Sequence, residues 1–206
     1  MKFNQPLDQI LGQQSKVRIL RLLSSKPGQF TIREISRRID LTVPNISRAL
    51  KELEEQAIVI SQKAGRAILY TLNQNHYLVS NIILPMFEKE SEAVKSLTEF
   101  LKKNLNGKVI SVILFGSIAK KEEKAISDID MLFVIDNRSN TQKIEREILE
   151  KNPEIIHLFG NPISPLVMTI SEFISKFKKK DRLLGEILKE GEVLDGKLIT
   201  DLLSHA

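Results

Sequence analysis

Apolar and polar positions along the chain change period as it proceeds. From Ser15 to Gln56 the apolar residues recur every three or four positions, the spacing of helices with one buried face. Ser15–Leu23 is the first such run and stops before Lys26-Pro27-Gly28. Thr31 is placed to cap IREISRRI, with Ile32, Ile35 and Ile39 turned inward. After Asp40-Leu41, Thr42 opens a third helix, VPNISRALKELEEQ. Pro44 is tolerated there because first-turn N–H groups have no helical partner. Ile46, Ala49, Leu50 and Leu53 form its buried stripe, leaving Pro44, Asn45, Ser47, Arg48 and Lys51 outside. Val59–Lys63 and Ala67–Thr71 then read as two short strands about a Gly65-Arg66 tip.

A helical pattern returns from Asn75 to Asn104, interrupted by Pro85. Proline in a helix interior costs about 3 kcal/mol, so a kink or break is expected near Leu84. His76–Glu90 is read as a connector helix, with His76 a polar helix-start residue, and Ser91–Leu105 as the first helix of a second domain. Two apolar, β-branched runs follow within Val109–Ile135, bounded by Gly116-Ser117 and Asp128-Ile129-Asp130; they read as buried strands. Beyond a loop at Asp136–Asn140, Thr141–Lys151 has a helical pattern and a turn falls at His157–Gly160. Pro162–Ile170 reads as a third strand, after which Ser171 is expected to cap SEFISKFKKK. The Lys178–Lys180 run is most simply a solvated last turn. Leu183–Lys189 is helical, a short extended piece follows at Gly191–Gly196, and Leu198–Leu203 closes the chain.

The aspartates are the local anomaly. Asp is disfavoured in strands, and adjacent like charges repel. In the second strand, alternation puts Asp128 and Asp130 on one face, roughly 6.5 Å apart at Cα. Two carboxylates so placed suit Mg²⁺, which takes one or two and leaves room for phosphates. Gly116 allows close backbone approach, and Ser117 with neighbouring N–H groups offers phosphate contacts. A plain β-hairpin with a polar loop and solvated aspartates would give the same pattern.

Composition narrows the classes. The 206 residues contain no cysteine, which removes disulfides, zinc-thiolate sites and thiol catalysis. MKFNQPLDQI has no apolar signal core and no run approaches a membrane span; no membrane association is expected, and the expected location is the cytoplasm. Charge is uneven: residues 1–75 hold 12 Lys and Arg against 6 Asp and Glu, a net of +6, while the whole chain carries +5. The remainder is therefore −1. A localised basic excess is the footprint of a nucleic-acid-binding segment.

Residues 15–73, three helices and a two-stranded wing, resemble the winged helix-turn-helix family of prokaryotic transcription regulators. That resemblance implies that the helix at 42–56 enters the major groove of double-stranded DNA. Thr42, Asn45, Ser47, Arg48 and Lys51 would be presented there, and Arg66 to the backbone or minor groove. Ala57 stands where the family usually turns on Gly. The run Phe115-Gly116-Ser117-Ile118-Ala119, then Asp128-Ile129-Asp130, resembles the signature of DNA polymerase β-like nucleotidyltransferases, closest to their minimal branch. It implies Mg²⁺ on Asp128 and Asp130, which are also the catalytic pair, and a nucleoside triphosphate on Gly116, Ser117 and Lys120. The acceptor is a hydroxyl or similar group. The family often has Arg-Gly where this chain has Lys120-Lys121, and it uses a third carboxylate on a strand antiparallel to the Asp-x-Asp strand. Ile163–Thr169 offers none, and Glu154 and Glu172 flank it.

The resulting expectation is an α/β (α+β) protein: a winged helix-turn-helix domain with connector over 1–90, then a mixed-sheet nucleotidyltransferase-type domain over 91–206. Two functions are open: a DNA-binding nucleotidyltransferase, or a transcription regulator whose second domain is weakly active or inactive and serves as nucleotide sensor or partner surface. A homodimer through the winged-helix and connector helices is a further expectation.

Overall fold

A computed structural model describes residues 3–26, 28–105, 109–122 and 124–203. Pro27, in the expected stop of the first long helix, and Glu123, in the polar loop, lie outside the described residues. The chain divides into two units, 1–92 and 93–206.

The first unit opens with α1 (Pro6–Leu11), α2 (Gln14–Ser25), α3 (Ile32–Ile39) and α4 (Val43–Glu55). Thr31 caps α3 as the pattern requires: its hydroxyl accepts from the Glu34 N–H, and the Glu34 carboxylate accepts from the Thr31 N–H at 2.8 Å. This holds the Glu34 carboxyl below its ordinary range. Asp40 takes a left-handed conformation, φ 50°, and turns the chain from α3 into α4. Ile19, Leu20, Ile35, Ile46, Leu50 and Leu53 are fully buried between these helices. A charge is buried with them: Lys16 on α2 meets Glu52 on α4 at 2.6 Å and donates to the Gln9 carbonyl at 2.6 Å. Glu52 itself is partly exposed, so it is removal of Glu52 that would strand a charge, that of Lys16, in the core.

The antiparallel wing consists of β1 (Val59–Ala64) and β2 (Ala67–Leu72), paired from Val59–Leu72 to Ala64–Ala67. Phe30 bridges Tyr70 on the far side of β2. Ala57, before β1, has φ 58°. Its carbonyl accepts from the Asn73 side chain at 2.9 Å, which stabilises a turn that a Cβ disfavours. The helical path after the wing does not break at Pro85. It widens into a π-helical segment, Val79–Ile83, and continues as α5 (Leu84–Ser91) with the proline in its first turn. A π-bulge accommodates the missing donor and ring there. Arg21 on α2 ties α5 down, with bonds of 2.6 and 2.8 Å to Glu90.

The second unit runs α6 (Ala93–Leu105), β3 (Val109–Leu114), α7 (Gly116–Ala119), β4 (Ile129–Ile135), α8 (Thr141–Leu149), α9 (Asn152–Phe159), β5 (Ile163–Thr169), α10 (Ile170–Lys178), α11 (Arg182–Glu190), β6 (Glu192–Gly196) and α12 (Ile199–Leu203). The sheet order is β5-β4-β3-β6. β3 is antiparallel to β4 and β6, whereas β5 is parallel to β4. Two apolar layers cover it. Met131 and Phe133 belong to the layer with Leu97, Leu101 and Ile148; Leu132 and Val134 belong to the layer with Phe173, Leu184 and Ile187.

Several expectations are corrected. The strand at 163–169 is parallel, not antiparallel, to β4, because α8 and α9 form a crossover between them. His157–Phe159 end a helix, with only Gly160 in the left-handed turn. The cap of α10 is Thr169, whose hydroxyl accepts from the Glu172 N–H, rather than Ser171. Helices α1 and α7 are too short to leave a period in the pattern and emerge only in the structure.

Both tyrosines, Tyr70 and Tyr77, lie in the first unit and the chain has no tryptophan, so tyrosine fluorescence reports that unit. Ala57→Gly relieves the left-handed strain and is expected to stabilise it by about 1 kcal/mol in urea unfolding. An unchanged or lower midpoint would show that the Asn73 contact already compensates.

Candidate functional site

Strand pairing sets the geometry at the end of β3. The Phe115 N–H donates to the Asp130 carbonyl at 3.0 Å, so the chain leaves the sheet directly over Asp130. Gly116 makes the turn with φ 71°. A Cβ there would lie 2.9 Å from Asp130 Cγ and 3.0 Å from its Cβ. Glycine is therefore required twice, for the dihedral and for the carboxylate packed against it. Ser117 follows half-buried, and its hydroxyl has no hydrogen-bond partner among the described residues. The turn closes through Lys120 N–H to the Gly116 carbonyl at 3.2 Å and Glu122 N–H to the Ser117 carbonyl at 2.9 Å.

Asp130 is half-buried on β4. Asp128 is exposed and precedes the strand, which begins at Ile129; the expectation that both stand within one strand is corrected. The two still influence each other. Burial pushes the Asp130 carboxyl upward, the Ser164 hydroxyl beside it pulls it down, and the negative charge of Asp128 raises it again. Ser164 reaches Asp130 because the parallel register pairs those two residues directly. A desolvated carboxylate next to a second one is relieved by a hard cation. Asp128 and Asp130 are the two side chains that would hold one Mg²⁺, with water and phosphate oxygens completing its shell. Among the described residues no group of three or more His, Cys, Asp or Glu is placed to hold a metal.

The flanking acids lie elsewhere. Glu172 closes the cap of α10, and Glu154 sits on α9, 3.6 Å from Lys151. Lys120 is turned to Glu190 of α11 at 2.7 Å. That contact raises the lysine and lowers the glutamate. No signal in the sequence announces it, since Glu190 is seventy positions away and on another element.

In the first unit Thr42, Asn45, Ser47, Arg48, Lys51 and Arg66 are all at least partly exposed. Arg48, Lys51 and Arg66 make no ion pair among the described residues. Lys63 on β1 is likewise exposed. Thr42 is the N-cap residue of α4, but its side chain makes no capping hydrogen bond.

Residues 94–194 match the family model described as the nucleotidyltransferase domain, and residues 13–67 match that of the MarR family. The comparison with curated proteins gives no match. Among solved structures, reduced HlyU from Vibrio cholerae N16961 aligns at 23% identity over 40% of this chain and 79% of its own, TM-score 0.33. The adhesin competence repressor AdcR from Streptococcus pyogenes aligns at 16% identity over 44% of this chain and 66% of its own, TM-score 0.35. A cysteine-to-serine mutant of ZitR from Lactococcus lactis aligns at 20% identity over 46% of this chain and 63% of its own, TM-score 0.35.

Gly116→Ala tests the packing at the turn. It is expected to destabilise the second unit by at least about 1 kcal/mol, from strain at a positive φ, with displacement of Asp130 in addition. Circular dichroism on heating measures it; a melting profile like that of the parent chain would refute the contact. With both units and both matches in place, the chain joins an N-terminal MarR-like winged-helix domain to a C-terminal nucleotidyltransferase domain.

Proposed function

We propose that this protein binds double-stranded DNA through the winged helix and Mg²⁺–nucleoside triphosphate through the nucleotidyltransferase domain. On this reading it holds the nucleotide better than it transfers a nucleotidyl group from it. The observation that carries the reading is Asp130 packed on Gly116 with Ser164, not a carboxylate, at its side. Asp128 and Asp130 would hold the ion, and Gly116 and Ser117 would seat the phosphates. When bound, Mg²⁺ supplies charge neutralisation for the aspartates and the triphosphate. Lys120 reaches a phosphate only by leaving Glu190.

A transferase also needs a group that accepts the proton of the attacking hydroxyl. Ser164 is neutral at physiological pH, and neither Glu154 nor Glu172 shares the site. Loss of a general base lowers rate about 10²–10⁴-fold, so slow transfer is expected, not its absence. Such a domain suits a nucleotide-responsive regulator working in the cytoplasm, with dimerisation through the winged-helix and connector helices.

Calorimetry with Mg²⁺–NTP should show binding by the parent chain and none by Asp130→Asn. Ser164→Asp should raise pyrophosphate release at least about tenfold, part of the general-base contribution. Equal nucleotide affinity in Asp130→Asn sinks the site. Fast turnover by the parent chain sinks the assignment of Ser164.

DNA binding is tested separately. Mobility shifts at several salt concentrations should show a steep loss of affinity with salt, from Lys and Arg meeting phosphates. Arg66→Ala should weaken all sequences alike, and Arg48→Ala should relax sequence preference if it reads a base edge. No binding at low salt would reassign the wing and α4 to protein contacts.

A further inference from the structure

The nucleotidyltransferase domain has a second concavity that the aspartate site does not use. It is a cavity of about 500 Å³ walled by Val94 and Leu97 of α6, Ile118 of α7, Ile129 of β4 and Phe159 of α9. Ser127, Asn161 and Lys124 supply its polar edge. Volume and lining are those of a small-molecule pocket, apolar with a few directed polar groups.

Its position follows from strand alternation. Ile129 turns into the layer of Met131 and Phe133, while Asp130 turns to the opposite face with Leu132. The cavity therefore lies behind the aspartate site, across β4. It approaches that site through Ile118, two positions from Gly116, and Ile129, between the two aspartates.

The walls are fixed. The Phe159 ring is met edge-on by Phe100 at 6.3 Å. The Asn161 amide donates to the Ala125 carbonyl at 3.0 Å and to the Ser127 carbonyl at 2.7 Å. Ser127 closes its own turn: its hydroxyl accepts from the Lys124 N–H at 2.9 Å, and its N–H donates to the Lys124 carbonyl at 2.9 Å. The turn holds Lys124 at the rim, exposed and without an ion-pair partner among the described residues.

We propose that this cavity binds a small amphipathic anion, an aromatic or branched apolar body carrying one carboxylate, sulfonate or phosphate group. The apolar body fills the space between Val94, Leu97 and Phe159, and the anionic group pairs with Lys124. Because the ligand packs on Ile118 and Ile129, it also sets the position of the Gly116 turn relative to Asp130. The occupied cavity thereby changes affinity for Mg²⁺–nucleotide, a consequence that rests on the function proposed above.

The probe is anilinonaphthalene sulfonate, titrated into the full chain by fluorescence. The parent chain should bind it saturably at one site. Lys124→Ala should weaken binding about fivefold, the effect of one exposed charge contact, and Lys124→Arg should restore it. Ala93→Trp, an exposed position at the cavity mouth, should abolish saturable binding. Equal affinity in the parent, Lys124→Ala and Ala93→Trp overturns the site, as does the absence of saturable binding. Calorimetry with Mg²⁺–ATP then tests the coupling: saturating probe should shift affinity at least about threefold, within the usual range of coupling free energies. An unchanged affinity overturns the coupling. If no nucleotide binds with or without probe, the proposed function fails, and the cavity is judged by the fluorescence titration alone.

Discussion

The contact on which the second domain depends is that of the Asp130 carboxylate with the α-carbon of Gly116. Three constraints meet there. The β3–β4 register carries Leu114 opposite Met131 and delivers Phe115 to the Asp130 carbonyl. The positive φ of Gly116 then bends the chain into α7 at once. The carboxylate fills the space where any other residue would carry its Cβ. Asp130 is thereby partly removed from water, which is why burial is the first cause of its raised pKa. A turn that packs its own backbone on a carboxylate thus disfavours the charged form of that carboxylate.

That same alternation along β4 separates two environments by the thickness of one strand. Even-numbered positions from Asp130 to Val134 face the layer of Phe173 and Ile187; odd-numbered positions from Ile129 to Phe133 face that of Leu97 and Ile148. Polar chemistry and the apolar cavity thus sit back to back, with α7 touching both. In a close-packed interior a change on one side of such a strand is felt on the other.

Much of this is legible in the sequence, because it rests on local rules. The capping pair Thr31 and Glu34, the buried stripe Ile46, Ala49, Leu50 and Leu53, and the wing about Gly65 each follow from periodicity or cap chemistry. The Gly116 and Asp130 positions are legible as an anomaly: residues poor for strands, at the ends of strong ones. What cannot be read depends on pairing at a distance. The parallel direction of β5 is fixed by the crossover through α8 and α9, and nothing within Ile163–Thr169 states it. The Lys120–Glu190 pair joins elements far apart in the chain. The start of β4 at Ile129, leaving Asp128 outside, is decided by the bond from the Ile129 N–H to the Pro162 carbonyl, again a tertiary fact. Ala57 is an instructive case, since the sequence marks its departure from Gly but not that Asn73 secures the turn.

Ser164 shows what a single side chain decides at such a site. The register puts position 164 beside Asp130 whatever residue occupies it. A carboxylate there would place a third negative charge next to one already disfavoured by burial and by Asp128, so the turn would be comfortable only with cations bound. A hydroxyl beside Asp130 instead pulls its pKa down and so favours its ionised form. The aspartate pair is then ready for a cation yet tolerable in its absence. In return, the position can no longer take a proton from an acceptor or ligate a second ion. On the proposed function, stability of the site without a cation and speed of transfer are set against each other at this one residue, and serine would favour the first.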